Sequence, residues 1–134
     1  MARRHPHGGF LRHDGGAAAL EFALVASAFF ALVTGIAYIV IMLFNNLSLD
    51  WAVEHAARLA AINKSVTQTQ IASAVNDYLT SVNLPTATVQ YSVTTVNNVQ
   101  TASISASYQQ SYTVPFVSTF DITFSSSADV PQGS

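Results

Sequence analysis

Gly15-Gly16-Ala17-Ala18-Ala19-Leu20-Glu21-Phe22 leads directly into a run that carries no Asp, Glu, Lys or Arg as far as Phe44. As a helix, the 23 residues from Phe22 to Phe44 extend about 35 Å, enough to cross a hydrocarbon core of about 30 Å. One N-terminal membrane anchor is therefore predicted. Glu21 needs an explanation, because an ionised carboxylate at the bilayer edge costs several kcal/mol unless it is paired. Two plainer readings stand beside a paired carboxylate. Charges gather at the ends of membrane helices and snorkel, so Glu21 also fits an ordinary bitopic anchor. Ala26-Ser27-Ala28 has the small-x-small form of a signal-peptidase site, but sixteen further uncharged residues, 29 to 44, follow it.

Before the run lie Arg3, Arg4 and Arg12, with His5, His7 and His13, whereas Asn45 to Asp50 contains neither Lys nor Arg. That asymmetry predicts a cytoplasmic N-terminus and an exported C-terminal part. Beyond residue 44 only Arg58 and Lys64 oppose Asp50, Glu54, Asp77, Asp121 and Asp129. Two isolated cations cannot line a phosphate groove, so nucleic acid is excluded as a partner class. The absence of cysteine removes disulfides, thiol nucleophiles and zinc-thiolate sites. At 134 residues the chain has room for one small domain after its anchor.

The composition divides the chain into a Gly, His and Arg-rich leader (1–16) with the character of a disordered segment, a membrane helix (17–46) and an exported part (47–134). Within the membrane run, Ala31-x-x-x-Gly35 permits close approach of a second helix. After Asn45-Asn46, the stretch through Trp51 to Ile62 reads as a helix that either continues the anchor or restarts after a kink. Leu47, Trp51, His55, Arg58 and Ile62 share one face of it, and Trp51 suits an interfacial anchor. Ser65-Val66-Thr67-Gln68 has capping-box spacing and opens a second helix with a stripe of Ile71, Val75, Tyr78, Leu79 and Val82, ended by Asn83-Leu84-Pro85.

From Thr86 the apolar period changes to two. Val89, Tyr91 and Val93, then Ala102, Ile104, Ala106 and Tyr108, then Ile122, Phe124, Ala128 and Val130 alternate with polar residues, which predicts one-sided antiparallel strands. Asn97-Asn98 supplies a hairpin turn. Pro115 makes Tyr112 to Phe120 an edge or a crossover, and Asp129 to Ser134 reads as a loose end. The class is α+β: a long N-terminal transmembrane helix, a short helix and a small antiparallel sheet of three or four strands, with the Ile71 to Val82 stripe covering the sheet's apolar face.

Asp50, Glu54, His55 and Arg58 form the one cluster of protic side chains outside the leader, and on a helix they need further groups to make a metal or acid–base site. There is no zincin pattern, nucleophile elbow or phosphate loop. The expectation is a protein that is not an enzyme, without metal or cofactor. Asn46-Leu47-Ser48 and Asn63-Lys64-Ser65 match the N-glycosylation pattern, whose meaning depends on the host.

A basic leader, a glycine, four apolar residues, a glutamate and a hydrophobic helix together resemble the N-terminus of type IV pilins and pseudopilins. Gly16-Ala17-Ala18-Ala19-Leu20-Glu21-Phe22-Ala23-Leu24-Val25-Ala26 is similar, more specifically, to the TadE-like pseudopilins of the tight-adherence (Tad/Flp) pilus. The resemblance is best over residues 15–62. It departs from the family's pattern at Ala26-Ser27, where a proline is frequent, and at Asp14, an acid within the leader. It implies a minor pseudopilin cut between Gly16 and Ala17 by a prepilin peptidase, with Glu21 and Phe22 serving assembly. The implied surroundings are the inner membrane or a surface pilus, and the implied partners are a Flp-type major pilin, a second pseudopilin, the pilus assembly platform and the lipid bilayer. The rival readings are an uncleaved bitopic envelope protein with an exported binding domain, and an enzyme displayed on an anchor.

Overall fold

The computed structural model describes residues 14–115 and 117–132. Along the chain lie α1 (Asp14–Ile62), α2 (Gln68–Ser81), β1 (Thr88–Val96), β2 (Val99–Val114) and β3 (Ser118–Gln132). The strands form an antiparallel meander in the order β1-β2-β3, so the α+β expectation holds. The chain divides into two compact units, the second of which begins at Val40.

In the first unit the described residues are those of α1 up to Ile39. Leu20, Phe22, Leu24, Phe29, Phe30 and Ile36 are all exposed. Such all-round hydrophobicity belongs to a helix whose solvent is not water. Ser27 Oγ donates to Ala23 O at 2.7 Å, which satisfies its hydroxyl within the helix. Gly15 and Gly16 are already helical, whereas residues 1–16 were expected to be disordered. Residues 1–13 of that leader lie outside the described residues.

The second unit is built on the last turns of α1. Asn45, Ser48, Leu49, Ala52, Val53, Ala56, Ala57 and Ala60 are buried. They recur at alternating steps of three and one, which is one face of a 3.6-residue helix. Leu47, Trp51, His55, Arg58 and Ile62 share a face as expected, and that face is the exposed one. The helix continues through Asn46 without a break and does not restart.

Thr67 is the N-cap of α2: its Oγ1 accepts from Gln70 N at 3.3 Å, and Gln70 Oε1 accepts from Thr67 N at 3.0 Å. The capping box thus sits two residues later than the predicted Ser65 to Gln68. Ile71, Val75 and Leu79 are buried as expected, and Asn83 takes a left-handed φ of 59° just past the helix end. Two side chains of α2 bond to the strand beside it. Gln68 Nε2 donates to Val89 O at 2.6 Å, and Asn76 Oδ1 accepts from Ala87 N at 2.7 Å.

The strand parity follows the sequence pattern. Val89, Ala102, Ile104, Ala106, Tyr108, Tyr112 and Phe124 are buried, while Gln90, Ser105, Ser125 and Ser127 on the opposite face are exposed. Asn97 and Asn98, at φ 52° and 62°, close the first hairpin. Pro115 lies in the second turn, closed by Val117 N–H donating to Val114 O at 3.1 Å. Tyr112 to Phe120 is therefore a hairpin corner leading from the central strand β2 into the edge strand β3, and not a crossover. The proposed loose end is also corrected for its described part, since β3 continues through Gln132. Gln132 is buried, and its Nε2 donates to Ala60 O at 3.1 Å and Tyr91 Oη at 3.2 Å.

Candidate processing and assembly site

Gly16, Ala17, Glu21 and Phe22 all lie within the first turns of α1. Each glycine within a helix weakens it by about 0.5–1 kcal/mol relative to alanine. Among the described residues, nothing lies within 4 Å of where a Cβ would stand on Gly15 or Gly16. The Gly16–Ala17 peptide therefore follows two glycines that weaken the helix, with no described side chain packed against Gly16. Ala17 lies one turn before Glu21 on the same helix face. Glu21 is exposed, without a hydrogen-bond or ion-pair partner among the described residues, and Phe22 beside it is 75% exposed. This carboxylate, with no partner among the described residues, stands on a helix whose surface is apolar.

Asp50, Glu54, His55 and Arg58 do not assemble into a centre. Asp50 is half-buried while Glu54, His55 and Arg58 are exposed, and the sheet side chains that bond to α1 do so at Asn45 and Ala60.

The structure adds a polar junction that the sequence reading missed. Asn45 is buried; its Nδ2 donates to Gln110 Oε1 at 2.9 Å and to Tyr112 Oη. Tyr108 Oη donates to Asn45 O at 3.4 Å. Tyr108 stacks on Phe124 with ring centroids 5.3 Å apart. Burial, with a smaller contribution from Tyr112, pushes the Tyr108 phenol up to about 12. No buried side-chain nitrogen or oxygen among the described residues lacks a partner. Together with Gln132 at Ala60, this junction ties both ends of the buried α1 face to the sheet. The available signal was the three-and-one spacing that carries Asn45 onto the same face as the small residues Ser48, Ala52, Ala56 and Ala60.

The stretch Gly15–Ile62 is long and apolar enough to cross a membrane, with a mean hydropathy of 2.4 in its most apolar window. This suits a membrane-anchored component. No curated protein and no solved structure matches the chain. Residues 16–58, about a third of the chain, match the family model described as TadE-like protein, and the matched segment starts at Gly16 and includes Glu21 and Phe22; over that segment the chain is similar to the TadE-like proteins of Tad pilus systems.

Proposed function

We propose that this chain is a minor pseudopilin of a Tad/Flp-type pilus, cut between Gly16 and Ala17 by a prepilin peptidase and used in assembling or initiating the fibre. The observation that carries the reading is Glu21: an exposed carboxylate five residues after Gly16, with no partner among the described residues, on a helix whose surface is otherwise apolar. Cutting frees an ammonium on Ala17, which shares the helix face of Glu21. Like-oriented helices packed along that face bring the ammonium of one against the carboxylate of the next, an attraction much stronger in a low-dielectric bundle than in water. The pairing sets the axial register of the subunit. Flp-type pilin, a second pseudopilin and the assembly platform are the neighbours this role needs. The role is structural, and the second unit caps or decorates what the helix joins.

Glu21→Gln keeps shape and hydrogen bonding without charge, and Glu21→Val removes both. In a host deleted for the protein, both variants are expected to reach normal membrane levels and to lose pilus-dependent adhesion. Full adhesion by Glu21→Val would reduce the glutamate to an end-of-helix charge and favour an uncleaved bitopic protein.

A further inference from the structure

The two edges of the sheet are unlike. Val89 O on β1 is taken by Gln68 and the Ala87 backbone by Asn76, so α2 side chains occupy the start of that edge. The backbone directions on β3 follow from the turns. The two-residue turn at Asn97-Asn98 makes Val96 and Val99 a hydrogen-bonded pair, so the odd-numbered residues of β2 bond to β1 and the even-numbered ones to β3. On β3 the even-numbered residues therefore face β2 and the odd-numbered ones face away. Pro131, which has no N–H to give, falls among the outward set, as it must. The N–H and C=O groups of Thr119, Asp121, Thr123, Ser125, Ser127 and Asp129 consequently point off the free edge, and no described residue bonds to them. All six residues also place their side chains on the sheet's polar face, and all six are exposed.

Asp121 and Asp129 are the only charged residues of the three strands. They stand eight positions apart on this edge, and Asp121 is oriented by a hydrogen bond from Ser111 Oγ. A second copy fits the edge poorly. Its own β3 brings two more carboxylates and no cation to the seam, and its β1 edge is occupied by α2 at Ala87 and Val89. Open edges are normally blunted by charge, and these two charges turn away like-charged strands while leaving the backbone free for others.

We propose that the β3 edge is a strand-addition site for an extended segment of a different polypeptide, carrying Lys or Arg opposite Asp121 and Asp129 and small polar residues between them. Main-chain bonds to the outward groups supply the attachment, and the two carboxylates select the partner and its register.

The test uses the full chain in detergent micelles and two synthetic probes, an alternating Thr/Val peptide with Lys at two positions eight apart and the same peptide with Glu at both. The readout is amide hydrogen exchange. The Lys peptide is expected to protect the amides of Thr119, Asp121, Thr123, Ser125, Ser127 and Asp129. The Glu peptide should bind more weakly, on the order of tenfold. The Asp121→Lys, Asp129→Lys double variant should reverse that preference, which a merely unfolded protein cannot do. Ser125→Pro, which removes an outward N–H that β2 does not use, should abolish protection of its neighbours while leaving thermal unfolding in place. Equal binding of the two peptides, no protection by either, or protection of these amides without peptide in a dimer would each overturn the proposal.

Discussion

The helix α1 serves two solvents. From Leu20 to Phe44 its large apolar side chains are exposed on every side, whereas from Asn45 to Ala60 its exposed face mixes Trp51, Glu54 and His55 while a stripe of alanines is buried. Backbone and propensity are similar in both halves, so the difference lies in where the bulk sits. The first half keeps its bulk outward for lipid or like helices. The second places small residues inward, on the face that is hydrogen-bonded to the sheet at Asn45 and Ala60.

The largest expected effect separates the halves outright. Ile104 is 1% exposed, and Ile104→Asp buries an unpaired charge at a cost beyond the few kcal/mol that hold a small domain together. The second unit should lose protease resistance and near-ultraviolet dichroism while the protein remains in the membrane fraction. Unchanged protease resistance would overturn the strand parity.

A matched pair of substitutions sharpens the contrast. Ala56 is fully buried and Ala31 is exposed. Ala56→Leu should destabilise the second unit by about 1–3 kcal/mol through overpacking, and Ala31→Leu should leave its thermal midpoint unchanged. Equal effects would mean that the two halves of α1 do not differ as described.

Asn45 marks the change of solvent. Asn45→Ala leaves Gln110 and Tyr112 without their shared donor, and about 1–3 kcal/mol of stability should be lost, read from chemical denaturation of a chain beginning at Val40. The smallest effect depends on pH. Because the Tyr108 phenol titrates near 12 when folded and near 10 when unfolded, the unfolded chain releases its proton first. Stability from this group is complete below pH 10 and falls as pH rises towards 12. Tyr108→Phe should flatten that part of the profile.

The strands were legible because a period of two with bulky residues on one side has no competing interpretation. The α1 face was not, since alanines carry little hydrophobic signal and Leu47, Trp51 and Ile62 mark the opposite side. The cap of α2 was misplaced because Ser65-x-x-Gln68 and Thr67-x-x-Gln70 fit the same spacing, and only tertiary docking of Gln68 on Val89 O chooses between them. Gln132 was missed because Pro131, Gly133 and Ser134 look like a terminus, while its value lies in a long-range bond to Ala60 O. Glu21 stood out at once, but its purpose cannot be read from one chain when its proposed partner is on another.

Cleavage is the most direct test of the pilin-like account, because every later step needs the ammonium of Ala17. Intact-mass measurement of the protein purified from its own host, where the peptidase is present, should place the N-terminus at Ala17, and Gly16→Ala should slow processing severely. An N-terminus at Met1 or Ala2, or at Phe29 after signal-peptidase cutting, would contradict the account.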